Sequence, residues 1–222
     1  MSQLNYNEEG IKAMQEERFE DAVKAFTQAI EEKPEETVGY INFGNLLAGM
    51  NDMERAERFF QKAISLDEEA ATAYYGLANL YYNNERYEEA AKIYERSIRA
   101  GIEGPDAYYM LAKSFEHAGN LKLALPYMQR AAELAPEDIQ VRLANAILMA
   151  SLEMFDFAKP ELEAVLVLDE NNADAYYNLG VLYAVSTDDV EAAKTHLLKA
   201  LEIAPQFDQA KYIYDMLMQR KD

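Results

Sequence analysis

The stretch ATAYYGLANLYYNNERYEEAAKIYERSIRAGIEG, residues 71–104, decides the fold once it is set beneath the stretch before it, TVGYINFGNLLAGMNDMERAERFFQKAISLDEEA, residues 37–70. Tyr40 falls over Tyr74, Gly44 over Ala78, Ala56 over Ala90 and Phe60 over Tyr94, each pair 34 residues apart. The register runs on in both directions. Tyr6, Tyr108 and Tyr176 extend the tyrosine column, which only Arg142 interrupts. Gly10, Ala112, Ala146 and Gly180 extend one column of small residues, and Ala22, Ala124 and Ala158 the other. A fixed period of this size marks an array in which each unit buries its apolar face against its neighbours.

Within each period, apolar or small residues fall at positions 4, 7, 8 and 11, and again at 17, 20, 24 and 27. In residues 71–104 these are Tyr74, Leu77, Ala78 and Tyr81, then Tyr87, Ala90, Tyr94 and Ser97. Spacings of three and four make one face of a helix. Polar runs such as Asn83-Asn84-Glu85-Arg86 separate the two stripes and read as turns. Each period is therefore a helix–turn–helix hairpin. Gly or Ala at positions 8 and 20 lets the two helices approach closely, and large residues at 4, 11 and 24 fill the space around that contact.

The pattern resembles the tetratricopeptide repeat (TPR) family. The signature residues are Tyr6, Gly10, Ala22, Phe26, Ala29 and Pro34 in the first repeat, and Tyr108, Leu111, Ala112, Ala124, Ala131 and Pro136 in the fourth. The resemblance implies an all-α solenoid, a right-handed superhelix of six hairpins in one continuous repeat domain. The repeats span 3–36, 37–70, 71–104, 105–138, 139–172 and 173–207. The sixth carries one inserted residue near Val185–Asp189. A capping helix follows over 208–222, with Ala210, Ile213, Tyr214, Leu217 and Met218 on one face and Arg220 and Lys221 at its end. That makes about thirteen helices. Pro126 and Pro160, at position 22 of their repeats, predict a late start or a kink in the second helix. The fifth repeat is the least regular, with Arg142 and Asn145 on its packing stripe.

Composition narrows the function. Forty acidic residues against 21 basic ones give a net charge of −19, which repels phosphate backbones and argues against a nucleic-acid partner. With no cysteine there is no disulfide, thiol nucleophile or thiolate metal site. The N-terminal MSQLNYNEEG has neither a basic nor an apolar signal region, and no apolar run is long enough to span a membrane, so a cytoplasmic location is expected.

In the family resembled, the first helices line a concave groove that receives a peptide, and the residues facing it stand near positions 2, 5, 6, 9, 12 and 13. Here those positions bring Tyr75, Tyr109 and Tyr177, with Asn42, Asn178, Asn45, Asn79, Asn83, Tyr82 and Lys113. Asn pairs with a peptide's N–H and C=O alike, and Tyr offers contact area with a polar tip. By resemblance these ten residues are the candidate peptide-binding set. The cationic clamp by which some family members seize a C-terminal carboxylate is missing, since positions 2, 5 and 6 carry no Lys or Arg.

Neither His117 nor His196 lies in a catalytic motif, and solvated or edge positions are expected for both. Asp169, Asn171 and Asp174 do not complete a calcium loop, and no glycine-rich phosphate loop occurs. The reading is a non-enzymatic scaffold or adaptor for an extended or apolar segment of a protein partner. It needs no small-molecule cofactor, metal or membrane, and self-association is left open. The alternatives are a chaperone-like holder of an apolar assembly or export substrate, and a structural subunit of a larger complex.

Overall fold

The computed structural model describes residues 5–187 and 189–219. The first residues of the first repeat, Asp188 in the inserted turn, and Arg220 and Lys221 of the cap lie outside the described residues. Thirteen α-helices and no strand occur among those described. The chain divides into two compact units, Met1–Gly119 and Asn120–Asp222.

The first unit holds α1 (Tyr6–Gln15), α2 (Phe19–Glu32), α3 (Thr37–Gly49), α4 (Met53–Leu66), α5 (Ala71–Asn83), α6 (Tyr87–Arg99) and α7 (Pro105–His117). Each helix packs on the next, and α1, α3 and α5 also pack side by side. The second unit holds α8 (Leu121–Leu134), α9 (Ile139–Ser151), α10 (Phe155–Leu168), α11 (Ala173–Ser186), α12 (Val190–Ile203) and α13 (Asp208–Gln219), again packed in succession.

The hairpins follow from the sequence columns. Position 20 is alanine in every repeat, and Ala22, Ala56, Ala90, Ala124, Ala158 and, one residue late, Ala193 are all fully buried. Position 24 carries Phe26, Phe60, Tyr94, Met128, Leu162 and, one residue late, Leu197, each also fully buried. The glycines of position 8 answer the bulk at position 24. A Cβ on Gly10 would lie 2.3 Å from the Phe26 ring, and one on Gly180 would lie 2.6 Å from Leu197.

The turn between the two helices of a hairpin is equally regular. Glu17, Asn51, Glu85, Gly119 and Glu153, all at position 15, have φ between +57° and +78°. The next N–H then reaches back to close the helix, as in Arg18 N to Ala13 O at 2.8 Å and Asp52 N to Leu47 O at 2.8 Å. In the sixth repeat the inserted residue changes this exit. Helix α11 runs to Ser186, and Thr187 leaves it extended at φ −138°.

Three expectations need correction. Pro126 and Pro160 lie inside α8 and α10, which begin at the usual position, so there is no late start. Each proline removes one backbone donor from its helix instead. The tyrosine column is core only at Tyr74, at 8% exposure; Tyr6, Tyr40, Tyr108 and Tyr176 are half-buried. The reason is visible at Tyr40, whose hydroxyl reaches out to donate to the Pro34 carbonyl at 3.0 Å. Arg142 keeps that pattern, because its Nε donates to the Pro136 carbonyl, six residues back as in Tyr40. Its Nη1 also pairs with Glu161 at 2.9 Å. The substituted rung thus makes the same backbone contact by different chemistry.

Candidate peptide-binding groove

Helices α3 and α5 stand side by side in the first unit and enclose a cavity of about 430 Å³. Its lining repeats itself from the two helices. Positions 2, 5, 6 and 9 supply Val38, Ile41, Asn42 and Asn45 from α3, and Thr72, Tyr75, Gly76 and Asn79 from α5. The face turned to the cavity is polar along Asn42, Asn45 and Asn79 and apolar along Val38, Ile41 and Tyr75. Gly76 brings bare backbone to the cavity, because a Cβ there would stand 2.5 Å from the buried Phe60 ring.

The polar groups differ in what they have left to offer. Asn42 donates from Nδ2 to Asn7 Oδ1 at 3.1 Å, linking α3 to α1 and leaving its own Oδ1 as an acceptor. Asn7, at position 5 of the first repeat, was missed in the sequence because its column holds tyrosine in three repeats and Ile41 or Leu143 in the others. Asn45 is exposed. Asn79 accepts from the Tyr94 hydroxyl at 2.5 Å, which fixes the amide against a fully buried phenol. The Tyr75 ring stands edge-on to Tyr94, 5.7 Å between centroids. Burial raises the Tyr75 pKa, the Asp106 carboxylate adds to the rise, and Asn79 opposes it. Tyr75 therefore remains a protonated donor at neutral pH.

Tyr82, Asn83, Tyr109 and Lys113 lie further along the same unit. Tyr82 packs edge-on against Tyr87 at 5.4 Å and His117 at 5.7 Å, and His117 stacks on Tyr87 at 4.8 Å. Burial, then Tyr87, Tyr109 and Glu116, raise the Tyr82 pKa. Lys113 pairs with Glu116 at 3.0 Å, so its charge is largely answered within its own helix. Asn83 ends α5 and is exposed.

Tyr177 and Asn178 belong to the second unit and are already engaged there. The Tyr177 ring lies 4.8 Å from Phe207, at the entry to α13, and Asn178 donates to the Asp174 carbonyl at 2.8 Å in its own helix. The first unit thus assembles Asn42, Asn45, Tyr75 and Asn79 around one cavity, whereas Tyr177 and Asn178 serve local packing. Of the histidines, His117 is exposed as expected. His196 is half-buried between Tyr176 at 6.1 Å and Tyr183 at 5.3 Å.

A family model described as the cilia and flagella-associated protein 70 C-terminal domain matches residues 10–178, and one described as a tetratricopeptide repeat matches residues 173–207. The chain belongs to the tetratricopeptide repeat family. The crystal structure of YrrB, described as a TPR protein with an unusual peptide-binding site, is similar at 43% identity and a TM-score of 0.81. That likeness covers 86% of this chain and 98% of that one. The TPR repeat-containing protein YrrB of Bacillus subtilis (strain 168) is 54% identical over 41 residues, 18% of this chain and 20% of that protein. The structure of pilF from Pseudomonas aeruginosa shares the fold alone, at 17% identity and a TM-score of 0.75 over 95% of this chain and 96% of that one. No helix among the described residues is long and apolar enough to cross a membrane.

Proposed function

We propose that this TPR protein is a non-enzymatic scaffold that holds an extended segment of a partner protein in the groove between α3 and α5. One observation carries the reading. All eight residues lining the cavity stand at positions 2, 5, 6 and 9, so two successive repeats present the same face to the same space. The asparagines meet backbone groups of an extended chain, and Val38, Ile41 and Tyr75 receive apolar side chains. The likeness to YrrB, at 43% identity, supports a peptide as the ligand class. The chain's acidity favours a segment with basic or no net charge.

The test is selection of peptides from a displayed library of unstructured sequences, followed by calorimetry on the best binder. Tyr75→Ala should weaken binding about tenfold or more, and Asn45→Ala about fivefold or more. Exposed glutamates of the second helices, Glu54→Ala and Glu88→Ala, should change it little. Equal effects from the two sets would sink the proposal. Comparable capture of unrelated unfolded chains, with no selected sequence, would favour a chaperone-like holder instead.

A further inference from the structure

Tyr94 is the one tyrosine at position 24, where the other repeats place Phe26, Phe60, Met128, Leu162 and, one residue late, Leu197. It is fully buried, and its hydroxyl donates to Asn79 Oδ1 at 2.5 Å, across the hairpin of the third repeat. Burial raises its pKa, so the phenol keeps its proton and needs an acceptor for it. Asn79 Oδ1 is the acceptor that the structure supplies. With the amide turned over, Nδ2 would face the phenol oxygen and leave the buried O–H without an acceptor, which is costly. The phenol therefore settles which arm of the Asn79 amide points inward.

The other arm is left for the groove. Asn79 is half-buried and lines the α3–α5 cavity beside Tyr75. With Oδ1 turned to Tyr94, the planar amide directs Nδ2 away from it, and Nδ2 can only donate. The behaviour of Tyr75 agrees. Asn79 opposes the rise in its pKa, as an N–H donor beside a phenol oxygen does. Asn42 is arranged in the opposite sense, with Nδ2 spent on Asn7 Oδ1 and its own Oδ1 open. Asn45 shares position 9 with Asn79 and is exposed, but its repeat carries Phe60 at position 24, so no phenol sets its amide.

The donor side also selects the charge of what it meets. None of the eight side chains lining the cavity is charged, and the Asp106 carboxylate acts on Tyr75 to raise its pKa. A carboxylate would find no cation on this lining and would face Asp106. A neutral amide carbonyl accepts the N–H without that repulsion.

We propose that Tyr94 is a positioning residue that makes Asn79 an obligate donor, so that the α5 side of the groove recognises an amide carbonyl oxygen of the bound segment. The carbonyl belongs to the segment's backbone or to an Asn or Gln side chain. The assignment rests on the groove being a peptide site.

The experiment uses the full chain and the peptide selected from the displayed library. Asn79→Asp keeps an acceptor for Tyr94 and removes both N–H groups, so it should weaken the peptide about tenfold or more. Tyr94→Phe retains a ring that repeat two already carries in Phe60, so it should fold. It frees the amide and should weaken the peptide about threefold to tenfold. The same substitution should have no effect once Asn79 is alanine, an outcome that a merely structural role for the phenol does not give. Backbone carbonyls of the peptide are then replaced one at a time by thiocarbonyls, which accept more weakly, and its Asn and Gln residues by alanine. One such change should weaken binding to the native protein but not to Asn79→Ala, and its place assigns the source. In the free protein, ¹⁵N relaxation should give the Asn79 side-chain amide a lower order parameter in Tyr94→Phe than in the native chain. Three results overturn the proposal: binding untouched by Asn79→Asp, equal losses from Tyr94→Phe with and without Asn79, or an unchanged order parameter. Binding indifferent to Tyr75→Ala as well would remove the groove reading itself.

Discussion

Gly76 is the residue whose substitution tests the packing argument most directly. It lies in the middle of α5, where alanine is the better helix former by about 0.8–1.0 kcal/mol. Local propensity alone therefore makes Gly76→Ala stabilising. The structure gives the opposite sign. A Cβ at this position would stand 2.5 Å from Phe60 Cε1 and 2.8 Å from Cζ, far inside the usual carbon–carbon separation of about 3.5–4.0 Å. The ring cannot retreat, because a Cβ on Gly44 would already lie 2.9 Å from the same Cε1 and Phe60 is fully buried. Overpacking of this kind costs about 1–3 kcal/mol, so the net loss is about 0–2 kcal/mol after the propensity gain. Urea denaturation followed by circular dichroism measures it, and native-state hydrogen exchange shows whether the loss is confined to repeats two and three. Gly49→Ala is the control. That site ends α3 with no heavy atom within 4 Å of the added Cβ, so the change should be neutral or stabilising. Combining Gly76→Ala with Phe60→Leu should recover at least about 0.5 kcal/mol relative to the sum of the single changes. If Gly76→Ala stabilises as much as Gly49→Ala does, the sandwiched-ring account is wrong.

Two further outcomes follow from polar groups in the second unit. His196 is held below its ordinary pKa chiefly by burial, with Lys159 adding to the depression and Glu163 opposing it. The unfolded chain therefore takes up the proton first as pH falls. Stability from the neutral ring is complete above about pH 6.5 and is lost below it. Urea midpoints at pH 7.5 and 5.5 should differ more in the native protein than in His196→Phe, and an identical acid loss in both would contradict the assignment. Arg142→Ala should cost about 1–3 kcal/mol, because it removes the donor to Pro136 and leaves half-buried Glu161 unpaired. Arg142→Tyr should recover part of that loss through the carbonyl contact that Tyr40 makes to Pro34. A thermal midpoint unchanged by Arg142→Ala would refute the compensating role.

The candidate groove was legible in part. Its positions could be named because the period fixes which residues share a face of each first helix, and the cavity is lined at positions 2, 5, 6 and 9 without exception. What each side chain had left to offer was not legible. Asn79 and Asn178 look alike in the columns, yet one is held by the buried Tyr94 hydroxyl and the other by its own helix backbone. Tyr75 and Tyr177 share position 5, but one faces a cavity and the other packs on Phe207. These differences depend on partners far away in the chain or on a local rotamer, and neither leaves a trace in a 34-residue period.

The sequence by itself determined the helices, their pairing into hairpins and the close contacts between them. Those features repeat, and repetition is visible without coordinates: small residues at positions 8 and 20 and bulk at 24 admit one packing. Tertiary structure decided the exceptions. Arg142 looked like a broken rung, and only the geometry showed its guanidinium on the same carbonyl that a tyrosine reaches elsewhere. Asn145 looked like a lapse in a leucine stripe, and only the packed helices show it buried with its Oδ1 unmet among the described residues. A periodic pattern reports what neighbouring repeats share. The cost of a buried polar atom depends on the few ångströms around it, and those are set only when the helices have packed.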